Sequence, residues 1–161
     1  MNYTVYSDGG CSKTKGGYAS VINEKYVISG SCKNTTNNIM EIAGIYEAIK
    51  YIKETLSPFT TEVIPITVYS DSRYAIGIIG SNWKAQKNTT LVYQVRNYVR
   101  DNNIKLQFYW VKGHSGIKQN EIADMCASKA LKDGYNDKPE YSKQEVFSPS
   151  KIYSTSGLVF I

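Results

Sequence analysis

Cysteine is sparse in this 161-residue chain: Cys11, Cys32 and Cys126 stand far apart, with no Cys-x-x-Cys pair among them. An odd number of scattered thiols makes a poor disulfide framework, so a reducing compartment, the cytoplasm, is the expected setting. No apolar run approaches the length of a membrane span, and no basic-then-apolar leader follows Met1. Neither a membrane partner nor a secretory signal is therefore expected. In that setting the Asn-x-Thr triplets at Asn34 and Asn88 read as chance matches rather than glycosylation sites. Acids are fewer than bases, 14 against 19, which leaves a net charge of +5 and a mild preference for a polyanionic partner. That excess lies wholly in residues 1–134, because the remainder carries three acids and three bases. Histidine occurs once, at position 114.

What is present is one ordinary domain. At 42% apolar and 12% aromatic residues, the chain can bury about two-thirds of its unfolded surface without a metal or disulfide to hold it. Residues 2–8 read as a strand, and residues 17–23 and 26–33 as two more joined by a polar turn at Asn23, Glu24 and Lys25. "NTTNN" suits helix capping, and the following Ile42, Ile45, Tyr46, Ile49 and Ile52 fall at the spacing of an amphipathic helix of about four turns. "IPITVYSD" is a nearly continuous β-branched run, the pattern of a strand buried on both faces. A short helix over "SRYAIGIIG", a helix from Thr89 to Asp101, the strand "KLQFYWV", the loop "KGHSG" and a helix across "QNEIADMCASKALKD" complete the order βββαβααβα. Three antiparallel strands followed by alternating strand and helix predict an α/β fold, a mixed sheet flanked by helices. Residues 135–161 lack periodicity and read as an extension, packed on the domain 1–134 or partly disordered.

The acids carry the chemistry. Asp8 enters Gly9-Gly10, which in isolation reads as a β-turn. Yet Asp8 and Asp71 both stand at the carboxyl ends of predicted strands, Glu41 near the start of one helix and Asp124 in the first turns of another. Ligands of open α/β sheets bind in that region. Singly, Glu41 and Asp124 read as solvated helix residues and Asp71 as a helix cap. Jointly, four converging carboxylates require a cation, and carboxylate oxygens suit Mg²⁺ or Mn²⁺. His114 in its glycine-flanked loop is either a surface residue or a mobile proton carrier.

"YSDGGC", "TTNNIMEIAGIYEAI", "VYSDSRYAI", "NWK" and "WVKGHSGIKQNEIADMCASKA" together resemble the successive motifs of type 1 ribonuclease H over residues 1 to about 133. The long final motif is the specific one. The resemblance implies the ribonuclease H-like fold with a five-stranded mixed sheet, and an endonuclease that hydrolyses the RNA strand of an RNA–DNA hybrid to 3′-hydroxyl and 5′-phosphate ends. It places Asp8, Glu41, Asp71 and Asp124 on the family's metal-binding carboxylates, which hold two Mg²⁺ ions roughly 4 Å apart. Asp8 would bridge them, Mn²⁺ could substitute, and His114 would assist proton movement or product departure. By the same likeness Cys11, Asn37, Asn38 and Arg73 contact the minor groove, where the 2′-hydroxyl marks RNA. Thr36 and Asn82 match a phosphate-gripping pocket, and Trp83 an aromatic against the neighbouring sugars. Capping for Thr36 and core packing for Trp83 are the plainer alternatives.

Two departures from the family pattern matter. Arg73 stands where glutamine is common, and the chain is too short between "NWK" and Lys105 for an extra basic helix and loop found in some bacterial enzymes. Lys84, Lys87, Arg96 and Arg100 are the candidate replacements, with weaker and more salt-sensitive hybrid binding expected. A monomer is expected, with the extension free to dock a partner or cover a sheet edge. Rival readings are an integrase, transposase or junction resolvase of the same fold, and a catalytically silent hybrid-binding module. Asn37, Asn38, Asn82 and the His114 loop weigh against the first group, and the four retained acids against the second.

Overall fold

In a computed structural model, residues 2–13, 15–81, 83–134 and the backbone of 154–158 are described. Three antiparallel strands come first: β1 (Tyr3–Ser12), β2 (Lys15–Ile22) and β3 (Tyr26–Cys32). Then β4 (Ile64–Ser70) lies parallel to β1, and β5 (Ile104–Trp110) parallel to β4. The helices are α1 (Asn37–Tyr51), the short α2 (Arg73–Ala75), α3 (Thr89–Asp101) and α4 (Lys118–Asp133). This is the expected five-stranded mixed sheet flanked by helices, in the order β5-β4-β1-β2-β3. Beyond it, β6 (Ser154–Leu158) pairs antiparallel with β3 as a sixth strand within the extension that had read as aperiodic. The unpaired amides and carbonyls of an edge strand accept such an addition whatever the side chains are, so "STSGL" gives little strand signal of its own. Residues 135–153 and 159–161 lie outside the described residues.

Local chemistry explains most boundaries. The β2–β3 turn forms because Asn23 and Glu24 adopt left-handed backbone angles, and the Asn23 side chain accepts from the Thr4 amide at 2.8 Å. Thr36 caps α1 through its hydroxyl, which accepts from the Ile39 amide at 3.2 Å. Two expectations need correcting here. First, α1 is not amphipathic but sits inside the molecule, with Met40, Ala43, Gly44 and Ala48 buried as well as the isoleucines. Its polar buried residues answer each other: Lys50 lies 2.8 Å from Glu47 and 4.2 Å above the Tyr46 ring. Second, β4 is fully buried on one face only, through Ile64, Ile66, Val68 and Ser70. On the other face no helix among the described residues covers β4 and β5, and Tyr6, Tyr69 and Tyr109 stack on one another across three strands.

The core lies between the sheet and α1, where Val5, Ile22, Ile28, Ile66 and Val68 meet Ile45, Ile49 and Ile52. On the opposite face α4 packs over β1, β2 and β3, with Ala123 against Val21 and Val27. The sheet is thus sandwiched on its antiparallel side, and the carboxyl ends of its parallel strands open between α1 and α4.

Gly9 decides how near α1 can come. A Cβ there would lie 2.6 Å from the Glu41 amide nitrogen, while one at Gly10 would meet nothing within 4 Å. The Asp8-Gly9-Gly10 sequence is therefore not a turn: β1 continues past it, with Asp8 opposite Ala19 and Gly10 opposite Gly17. Gly9→Ala should lower unfolding free energy by about 2–3 kcal/mol, because backbone cannot yield as a side chain does. Gly10→Ala should stay within about 0.5 kcal/mol of the parent. Urea denaturation of the two variants checks both values.

Candidate active site

Register brings the first two acids together. Ser7 faces Ser70 in the parallel β1–β4 pair, so the next residues along, Asp8 and Asp71, emerge side by side where β4 ends. At Asp8 the pairing with β4 has ended, but β2 holds the strand from the other side through to Ser12. Asp71 is the first residue after β4, and it does not cap the helix that follows. Ser72 does that, accepting from the Ala75 amide at 3.0 Å, which leaves the Asp71 carboxylate free of that duty. The Asp71 carbonyl, out of the sheet ladder, is held by the indole N–H of Trp110 at 3.1 Å. Glu41, one turn into α1, arrives over Gly9. One carboxylate oxygen from each of Asp8, Glu41 and Asp71 lies within 4.8 Å of the others.

Asp124 completes the group from the second turn of α4. It lines a small cleft with Asp8, Gly9 and Gly10, and shares a hydrogen bond with the Asp8 carboxyl. His114, with a left-handed φ of 56°, places Nδ1 3.8 Å from an Asp124 carboxylate oxygen. Its side chain is 83% exposed, that of Asp124 43%. The four acids of the sequence reading do converge, and the histidine stands at their solvent edge.

Burial and mutual repulsion make this cluster unstable as anions. Burial, then the charges of Asp8 and Asp71, push Glu41 up to about 9. Burial, the hydrogen bond with Asp124 and the charges of Asp71 and Asp124 push Asp8 up to about 8, against a lowering contact from the Gly9 amide. Asp71 is raised as well, chiefly by burial. One oxygen of Glu41, Oε1, is shut off from water and has no hydrogen-bond partner. A buried orphan acceptor among crowded carboxyls is the chemistry a divalent cation satisfies: oxygen ligands, excess negative charge and one side open to solvent. The residues present fit such an ion.

The expected nucleic-acid contacts fall into three places. Thr36, Asn37 and Asn38 line a cleft at the start of α1, and Lys87 and Asn88 form its other wall. Cys11 is near the tip of β1, its thiol donating to the Lys13 and Thr35 carbonyls at 3.2 and 3.5 Å. Arg73 lies over the Trp110 ring, 4.1 Å from its centroid. Trp83 is half exposed and lies against Gly77 rather than in the core. Asn82 lies outside the described residues. Of the candidate replacements for the missing basic helix, one is engaged elsewhere. Arg96 donates to the Ile78 and Trp83 carbonyls, while Arg100 stays exposed and meets its neighbour Asp101 at the surface.

Sequence reasoning passed over Asn88 and Trp110. Asn88 stands directly before α3 but does not cap it: it adopts a left-handed angle, φ 55°, that asparagine tolerates better than most residues. Its amide donates to the Tyr74 hydroxyl at 3.2 Å, which steadies it in the cleft wall. Trp110 had no signal in the sequence, because its partner is a backbone carbonyl 39 residues away.

Raised carboxyl pKa values have a thermodynamic sign. A carboxyl near 4 when unfolded and near 9 when folded binds more protons in the folded state, so stability falls as pH rises between those values. In EDTA, Glu41→Gln should therefore melt above the parent, by roughly 5 °C at pH 8, with a smaller gap at pH 5. Millimolar Mg²⁺ should raise the parent's melting temperature at pH 8 and leave the variant's almost unmoved. Scanning calorimetry at both pH values, with and without metal, measures it.

Comparison with known proteins agrees with this geometry. The family model described as RNase H matches residues 1–132. A Ribonuclease H of Caldicellulosiruptor saccharolyticus is 34% identical over 148 residues, covering 80% of this chain and 95% of its own. One from Ehrlichia ruminantium is 35% identical over 145 residues, covering 79% and 92%. One from Rippkaea orientalis is 30% identical over 173 residues, covering 96% and 93%. With the matched span enclosing all four acids and the relatives aligned over nearly their whole length, the chain belongs to the ribonuclease H family of hydrolases.

Proposed function

We propose that this enzyme hydrolyses the RNA strand of RNA–DNA hybrids with the help of two divalent ions, Mg²⁺ or alternatively Mn²⁺, leaving 3′-hydroxyl and 5′-phosphate ends. The observation that carries the reading is the convergence of Asp8, Glu41 and Asp71, with Asp124 bonded to Asp8, around an orphan buried oxygen. Bound there, the ions supply charge neutralisation, a more acidic attacking water and stabilisation of the leaving oxygen. Asp8 stands between the Glu41–Asp71 side and the Asp124 side, so it is the acid placed to serve both. His114, its exposed imidazole next to Asp124, assists proton movement or product departure. Residues 1–134 form the catalytic unit, acting as a monomer, and no helix among the described residues is long and apolar enough to cross a membrane. Removal of RNA from hybrids during replication is the cellular role this chemistry suits.

Recognition follows from short polar groups near the scissile strand. Asn37, Asn38, Cys11 and Arg73 face the minor groove and its 2′-hydroxyls. Thr36, with Asn88 and Lys87 opposite it, grips a phosphate of the DNA strand, and Trp83 packs on the sugars beside it. Because Arg96 is engaged within the protein, fewer phosphates are neutralised than the charge count implied. Affinity is then weak, and the salt slope shallow rather than steep, since the slope counts neutralised phosphates. This reverses the salt sensitivity expected from the sequence.

The decisive experiment is cleavage of a labelled hybrid beside matched duplex DNA, duplex RNA and single strands, in Mg²⁺ or EDTA. The parent should cut only the RNA of the hybrid and only with metal. Asp71→Asn should lose more activity than the roughly 10–100-fold that changes outside the ligand set cost. Binding without cutting would instead make the chain a silent hybrid reader. Separately, Lys87→Ala should reduce the slope of log affinity against log salt by about 1, read by fluorescence anisotropy on labelled hybrid.

A further inference from the structure

Between the π-helical turn Ile76–Gly80 that follows α2 and the start of α3, residues 81–88 form no helix or strand among the described residues. This segment nevertheless carries Trp83, Lys84, Gln86 and Lys87, which with Tyr74 and Ile78 line an open cleft. Loops of this kind adopt many conformations unless something outside them fixes one.

Three contacts fix Trp83. Its amide donates to the Gly77 carbonyl at 3.1 Å. Its indole lies flat where Gly77 has no side chain: a Cβ there would come within 2.5 Å of the ring carbon Cε3. From the other side, Arg96 of α3 spans the join. Its Nε and Nη2 donate to the Ile78 carbonyl at 3.1 and 2.6 Å, and Nη2 also donates to the Trp83 carbonyl at 2.7 Å. The guanidinium rests 5.5 Å from the Tyr93 ring centroid, one turn back on the same helix. One planar fork thus ties the π-helical turn, the loop and α3 together, which an ammonium, a compact charge without that geometry, does not reproduce.

We propose that Arg96 is a positioning residue for hybrid binding: it holds Trp83 half exposed in a ready conformation, and does not itself neutralise a phosphate. The role rests on the proposed hybrid-cleaving function. Without the fork, the protein orders its loop only on binding, so the loss appears in KM and not in kcat.

The test is charge-conserving. Arg96→Lys and Arg96→Gln should raise KM for the hybrid alike, by about three- to tenfold, the cost of ordering one large side chain. Both should leave kcat and the salt slope at parental values. In a Trp110→Phe background, where Trp83 is the sole indole, both should increase acrylamide quenching of the free protein. Gly77→Ala, which displaces the indole from the opposite side with Arg96 intact, should raise KM and quenching in the same way, with circular dichroism confirming that each variant folds. If Lys restores KM while Gln lowers the salt slope by about 1, Arg96 is a phosphate contact and the proposal falls. Unchanged quenching, or increased quenching with unchanged KM, overturns it as well. A parent that cuts no hybrid overturns the function and this role together, whereas a cutting parent with variants outside the expected pattern overturns only the role.

Discussion

Where α1 crosses β1, the two backbones approach so closely at Gly9 that no side chain fits between them, and the rest of the site depends on that crossing. The approach carries Glu41 over the sheet to within carboxylate reach of Asp8 and Asp71. It also strips water from Glu41, which is the main reason that acid is pushed up to about 9. The contact that places the ligand also creates the electrostatic need for an ion. A helix standing further out would leave a glutamate ordinarily solvated and a site without its fourth acid.

Around that crossing the fold divides its labour between faces. The α1 face of the sheet holds the apolar core, and its small residues Ser7, Ser20 and Ser70 keep the layer thin beneath the helix. The α4 face holds the antiparallel side of the sheet and brings in Asp124. The parallel β1–β4 pair supplies two acids at one level because parallel register puts equivalent positions side by side. Precision at the acids thus comes from strands and long helices. Adaptability lies in the connecting segments, the His114 loop and residues 81–88, where the proposed proton carrier and aromatic contact are found.

Much of this was legible in the residues. The three-strand meander, the capping at Thr36 and the limits of α3 follow from turn-formers, hydroxyl caps and hydrophobic spacing, all of which act over a few residues. Asp71 was legible because it directly follows a strand, and Glu41 and Asp124 because they lie in the first two turns of helices; Asp8 read as a strand end, but β1 runs on to Ser12. Less legible was how deeply an element is buried. The isoleucine stripe of α1 suggested one covered face, but alanine and glycine on its other faces are neutral in a pattern of polarity and proved buried too. The β-branched run of β4 suggested two covered faces, yet among the described residues Tyr69 is covered by neighbouring tyrosines and not by a helix.

The sequence by itself determined where the five strands of the main sheet and the long helices form, which acids are candidates, and the family to which the motifs point, because those properties depend on near neighbours along the chain. Only the tertiary structure decided which side chains were still available for function. Asp71 is free because Ser72 takes the cap, Arg96 is engaged because two backbone carbonyls lie within its reach, and Asn88 joins Thr36 across a cleft. The physical reason is that availability depends on distance in space, and partners tens of residues apart leave no periodicity to read.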